Sequence, residues 1–229
     1  MTLSIVARCP DTGQVGVAAA TGTPGVGKLL TWARARVGAV ATQGWVNPYL
    51  GIDALDLLAN GHPAARVLEA VLALDPAPEQ RQVGLVDAWG HTATWTGPAC
   101  ADWAGARQGD GWCVQGNLLE SGRGVAECAA AFATHDRGRP LVERLMAALE
   151  SGVRAGGDRR GERSATVYVM DVEEYPLWDV RVDDSRDPIT DLWRTQDVLA
   201  TELVAQIRKL PRREDPRGDL DPTRRDGNL

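Results

Sequence analysis

Two hydroxyl residues stand two positions apart at the start of the chain, Thr2 and Ser4. A threonine exposed as a first residue carries both a hydroxyl and a free α-amine. The amine, with an ordinary pKa of about 7.7 to 8, can take the hydroxyl's proton as the oxygen attacks a carbonyl carbon. Removal of Met1 would expose Thr2, and the small threonine side chain permits that processing. Ser4 projects to the same side of an extended strand by the period of two, which makes it the second candidate nucleophile. Acyl transfer also needs hydrogen-bond donors where negative charge develops, and uncharged amides or glycine-exposed backbone N–H groups supply them. Three polar clusters at strand ends offer such groups: Thr42-Gln43, Gln115-Gly116-Asn117, and Gly157-Asp158 through Arg163-Ser164. Thr2 and Ser4 are thus the candidate nucleophiles, and the amides and backbone N–H groups of these clusters the candidate donors. This chemistry calls for no metal and no cofactor. Each cluster taken singly also fits a purely structural role at a strand end.

A second motif competes. Gly22, Gly27 and Lys28 satisfy most of the phosphate-loop pattern G-x-x-x-x-G-K-[ST], after a buried strand and before an expected helix from Lys28 to Arg36. The next position is Leu29 where the pattern needs a hydroxyl to hold Mg²⁺. Nucleotide binding is a remote alternative, and a glycine-rich turn is the simpler reading.

These residues must be positioned by the elements around them. Leu3, Ile5 and Ala7 alternate with Ser4, Val6 and Arg8, Pro10-Asp11-Thr12-Gly13 is turn chemistry, and Val15 to Ala20 is almost wholly apolar. The chain thus opens with a β-hairpin whose second strand is covered on both faces. Further strands are expected at Val37–Ala41, Gln82–Ala88, His91–Thr96, Trp112–Gln115, Ser164–Met170 and Leu177–Val182. Helices are expected at Ile52–Ala59, Pro63–Leu74, Gly124–Ala133, Pro140–Val153 and Asp187–Ile207, and a loop at Cys100–Gly111. Hairpins exclude an all-parallel sheet, and helix pairs alternating with strand groups fit sheets stacked between helix layers. A single domain over residues 1–210 with a disordered, Arg/Asp/Pro-rich tail over 211–229 follows.

The 229 residues, 44% of them hydrophobic, can bury a substantial core. A net charge of −6 without a basic helix face argues against nucleic acid or an anionic membrane as partner. No leader-like or membrane-spanning run is recognisable, so the expected location is cytoplasmic. Cys9, Cys100, Cys113 and Cys128 form no C-x-x-C pair and read as reduced, mostly buried thiols. His62, His91 and His135 lie in turn-like surroundings. Tryptophans in loops, Trp45 and Trp103 among them, suit ligand stacking or a subunit interface.

Seven separated blocks carry a family resemblance: Thr2–Arg8; Pro10–Gly13 with Gly16–Ala18; Val37–Gln43; Arg81–Gly84; Trp103–Gly105; Gln115–Asn117; and Gly156–Gly161 with Ser164-Ala165. Over residues 2 to 182 the chain resembles the bacterial domain of unknown function numbered 1028, usually placed with the N-terminal-nucleophile (Ntn) hydrolases. The resemblance implies an α+β fold, a four-layer α/β/β/α sandwich of mostly antiparallel sheets, with a hydrolase-like pocket at the start of the first strand. Residue by residue it places Thr2 or Ser4 in the nucleophile region with Gln43, Asn117, Asp158 and Ser164 around it. The opening hairpin and the seven blocks together point to hydrolysis of an amide bond in a small molecule or peptide, with Gln43, Asn117 or backbone N–H groups holding the oxyanion and Asp158 orienting the amine or an arginine, and a homo-oligomer is expected. A non-catalytic sandwich that binds a small ligand or assembles with itself is the alternative. The chain departs from the family at Cys9, where an acidic residue is common, and over Thr21–Lys28.

Overall fold

The computed structural model describes residues 2–101, 103–157 and 160–219. Its elements run in the order β1 Thr2–Arg8, β2 Val15–Thr21, β3 Thr31–Arg34, β4 Gly38–Gly44, α1 Tyr49–Ala59, α2 Ala64–Leu74, β5 Arg81–Asp87 and β6 Thr92–Thr96. There follow β7 Gly105–Gly109, β8 Trp112–Asn117, α3 Arg123–Thr134, α4 Leu141–Gly156, β9 Ser164–Met170, β10 Trp178–Val182, α5 Pro188–Glu202 and α6 Val204–Ile207. The strands form a six-stranded sheet, β10-β9-β2-β1-β8-β7, and a four-stranded sheet, β3-β4-β5-β6. Every pairing among the described residues is antiparallel.

Period-two alternation decides which face each strand residue takes. From β1, Leu3, Ile5 and Ala7 point outward and pack with Cys128, Phe132, Leu145 and Leu149 of α3 and α4 and with Leu192 of α5. The four-stranded sheet turns Val40, Val83, Leu85 and Ala93 outward onto Leu50, Ala54, Leu58, Val67 and Val71 of α1 and α2. The opposite faces meet each other through Val6, Val17, Ala19, Ala39, Ala41, Val86 and Cys113. The mixed α/β architecture thus has helices on the outside and sheet against sheet in the middle. β1 lies near the centre of its sheet between β2 and β8, and β2 is buried along its whole length. The opening hairpin closes at Gly13, whose φ of 75° is the left-handed conformation that glycine tolerates.

Three elements differ from the sequence expectation. The helix expected over Lys28–Arg36 is a single 3₁₀ turn at Val26–Lys28 followed by the edge strand β3. Every residue of β3 is half-buried, so no apolar face marks it out; its pairing with β4 overrides the helix-forming Ala and Arg residues. The loop expected over Cys100–Gly111 contains β7, a strand with no large apolar side chain that exists through its pairing with β8. The final helix is broken at Leu203 into α5 and α6. Helix α1 starts three residues earlier than expected, with Pro48 as its N-cap residue, and the Asn47 side chain accepts a hydrogen bond from Tyr49 N at 3.1 Å in an Asx turn that leads into it. Residues 211–219 lie against the β9–β10 connection, where Tyr175 Oη donates to Pro211 O and Arg213 pairs with Glu174; residues 220–229 lie outside the described residues.

Candidate functional site

Residues directly opposite one another on paired strands share a face. The register therefore aligns Asn117, Thr2, Thr21 and Ser164 in one row across β8, β1, β2 and β9. The next row is Gln115, Ser4, Ala19 and Thr166, and the third is Cys113, Val6, Val17 and Tyr168. The inner face thus passes from polar at the Thr2 end to apolar within two rows. The facing sheet matches it: Gln43, Gln82 and Thr96 form one row across β4, β5 and β6, and Ala41 and Gly84 lie in the next.

The two polar rows meet as a carboxamide network that joins the sheets. Ser4 Oγ donates to Gln43 Oε1 at 2.7 Å, and Gln43 Nε2 donates to Gln82 Oε1 at 2.8 Å. Longer contacts of 3.4 Å run from Gln43 Nε2 to the carbonyls of Thr2 and Gln115. Gln82 is the hub. Its oxygen accepts a second hydrogen bond from Asn117 Nδ2 at 2.9 Å, and its amide nitrogen donates to Thr96 Oγ1, Gly116 O and Gly105 O. Gln115 Nε2 donates to Ala41 O at 3.1 Å, while Gln115 Oε1 has no hydrogen-bond partner. That oxygen lies over Gly84, where a Cβ would stand 1.9 Å from it. Only a glycine leaves room there. Ser4, Gln43, Gln82 and Gln115 are all fully buried, and their hydrogen bonds to one another and to main-chain carbonyls offset the cost of that burial, with Gln115 Oε1 the exception.

Thr2 differs from Ser4 in access. Thr2 is half-buried and its Oγ1 donates to Thr21 Oγ1 at 3.2 Å, whereas the Ser4 hydroxyl is sealed inside. Of the amides expected to hold an oxyanion, Gln43 Nε2 is engaged with Gln82 and with main-chain carbonyls, and Asn117 Nδ2 donates to Gln82, so both residues brace the Thr2 end of β1. Ser164 belongs to the Thr2 row but its hydroxyl is turned to the preceding loop, donating to Thr23 O at 2.6 Å and accepting from Val26 N at 3.1 Å. Asp158 lies outside the described residues. Sequence reasoning missed Gln82, Thr21 and Thr96; a lone glutamine of the same parity as Gly84 and Val86, followed by the apolar run Val83–Val86, was the available signal for the first.

The glycine-rich loop is not a phosphate cradle. The amide of Val26 is bonded to Ser164 and that of Gly25 to Asp183 O, Lys28 Nζ lies 3.7 Å from Asp183 Oδ2, and no α-helix follows. The loop beyond β4 is anchored from below by Asp75. Asp75 takes hydrogen bonds from Arg81 Nε, Asn47 Nδ2 and Ala77 N, while Arg81 Nη1 donates to Trp45 O. Burial alone would push the Asp75 carboxyl up, but these bonds and the Arg81 charge outweigh it and hold it below the ordinary aspartate value.

The four cysteines are free thiols. Burial raises Cys100, pushes Cys113 up to about 12 and raises Cys128 further. Among the described residues no group of His, Cys, Asp or Glu is arranged to hold a metal ion, and no helix is long and apolar enough to cross a membrane.

A model of a family of unknown function, DUF1028, matches residues 2–192. The crystal structure of a Silicibacter pomeroyi protein of that family superposes with a TM-score of 0.90 at 28% identity, covering 100% of this chain and 99% of the other. Anbu (ancestral beta-subunit) from Yersinia bercovieri aligns at 11% identity with a TM-score of 0.41, over 89% of this chain and 97% of its own. No curated protein matches the chain.

Proposed function

The chain belongs to the DUF1028 family of unknown function, and from that premise we propose that it is an N-terminal-nucleophile hydrolase cleaving an amide bond of a small molecule or peptide, with Thr2 as nucleophile. One observation carries the reading: the half-buried Thr2 hydroxyl stands at the end of a central strand and faces the gap between two stacked sheets. After loss of Met1 the Thr2 α-amine takes the hydroxyl proton, and Oγ1 adds to the substrate carbonyl. The protonated amine then passes that proton to the departing nitrogen. Water attacks the resulting threonyl ester, returning the acid product and the free hydroxyl. Gln43 and Asn117 act as positioning residues, the first through Thr2 O and the second through the Gln82 hub, and backbone N–H groups take the oxyanion. Asp158 is proposed to orient the amine. Ser4 and Ser164 hold the network and the loop.

Mass spectrometry tests this on the purified protein. Intact mass should show the loss of Met1, and a peptide epoxyketone, which needs both the amine and the hydroxyl of an N-terminal threonine, should add once and map to Thr2. Retention of Met1 on all molecules, or an adduct that survives Thr2→Ala, overturns the assignment. A non-catalytic reading has one observation in its favour, the closure of Ser4, Gln43 and Gln82 upon one another, and it requires no adduct whether or not Met1 is lost.

A further inference from the structure

β1 has a second end. Thr2 to Arg8 spans about 20 Å at roughly 3.3 Å per residue, so what surrounds Arg8 lies at the opposite pole of the sandwich from Thr2. There a cleft of about 280 Å³ is lined by Arg8, Arg137 and Arg144 together with Trp89, Trp112 and Phe132; Asp110 is its acidic member. Arg144 is only 4% exposed, yet its Nε and Nη1 have no hydrogen-bond partner, and Arg8 Nε is buried without one as well. Leaving such donors unpaired in a protein interior is costly, and charged ones most of all. The Arg144 guanidinium lies 4.6 Å from the centre of the Phe132 ring. Stacking of this kind uses the flat face of the group; its edge donors Nε and Nη1 lie covered in the cleft wall, and an oxyanion entering there would supply the acceptors they lack.

The neighbouring groups act on the Arg144 charge in both directions. Burial and the nearby Arg137 lower the Arg144 pKa, while Cys9, Asp11 and Asp136 act to raise it. Burial pushes the Cys9 thiol up, but hydrogen bonds from the Thr12 side chain and the Thr12 and Asp11 backbone, with the charge of Arg144, bring it below its ordinary value. Three guanidiniums and one carboxylate line the cleft, Asp11 and Asp136 act on Arg144 from beside it, and indole and phenyl surfaces form its walls.

We propose that this cleft binds the oxyanion group, phosphate or carboxylate, of a small aromatic molecule, with Arg144 as the principal donor and the tryptophans as the surface on which its ring rests. Isothermal titration with phenyl phosphate and with benzoate, in chloride buffer of fixed ionic strength, separates the two anion types and tests both. At least one should saturate at one molecule per chain, and Arg144→Met should weaken it about ten- to a hundred-fold, the range expected for a charge-assisted hydrogen-bond pair. Arg137→Gln, at an exposed position that should not disturb folding, should weaken it a few-fold and decides the matter if Arg144→Met fails to fold. Absence of saturable heat with both ligands, or undiminished binding by the variants that fold, overturns the proposal. The outcome is independent of the Thr2 experiment.

Discussion

Replacing Ser4 by alanine deletes a hydroxyl that has no access to solvent and donates at 2.7 Å to Gln43 Oε1. The deletion leaves a buried amide oxygen without its donor, which costs about 1–3 kcal/mol. For a chain of 229 residues, where 1 kcal/mol moves the midpoint by about 2–4 °C, the expected fall in Tm is about 2–12 °C. Thr2→Ala removes only a half-exposed 3.2 Å hydrogen bond to Thr21 and should cost under about 1 kcal/mol. The two variants are thus expected to dissociate stability from chemistry. Ser4→Ala should melt lower yet still accept the epoxyketone at Thr2, more slowly because the Gln43 contact to Thr2 O is loosened. Thr2→Ala should melt almost unchanged and accept none. Thermal denaturation by circular dichroism and intact-mass labelling on the same preparations provide both readings. A Ser4→Ala protein of unchanged Tm that has lost all labelling would refute the reasoning, because it would put the reactive hydroxyl at Ser4.

Three further expectations concern the supports of the site. Asp75→Asn breaks a buried pair with Arg81 and should destabilise by about 3–5 kcal/mol at neutral pH. Since the native Asp75 carboxyl is held below its unfolded value, its contribution is complete above about pH 5 and is lost as the pH falls through the ordinary aspartate value toward the native one; urea melts from pH 7 to 3 should show the variant's deficit shrinking over that range. Gly84→Ala places a Cβ against Gln115 Oε1 and should cost about 1–3 kcal/mol, read as a lower urea midpoint at unchanged m-value. Cys113 and Cys128, buried and pushed to high pKa, should resist iodoacetamide in the native protein, Cys100 should react ahead of them, and all four should react in guanidinium, as peptide mapping can check.

What the sequence disclosed and what it hid follow from the same rule. The opening hairpin, the covered strand β2 and helices α2 and α4 carry strong apolar periodicity and are legible from it. Strands β3 and β7 are edge strands whose residues face partial solvent on both sides, so their conformation is set by a neighbour that the local sequence does not name. At the candidate site, the placement of Thr2 and Ser4 on one face, and of Gln43 and Asn117 beside them, is readable from parity and strand ends. That Ser4 is sealed while Thr2 is not, and that Gln82 joins the two sheets, depends on how one sheet is laid over the other, which periodicity within a strand does not encode.

The carboxamide network binds its positions into a common evolutionary fate. A substitution at Ser4, Gln43, Gln82 or Asn117 alone strands a partner's donor or acceptor in a dry interior, whereas a simultaneous exchange of both partners for apolar groups of similar shape is close to neutral. Drift at these sites therefore has to pass through coordinated double changes, while Val6, Val17 and Ala39 a few ångströms deeper can be traded one at a time for side chains of like volume. Engineers who wish to retune the Thr2 end should randomise these four codons together and leave none of them fixed as background.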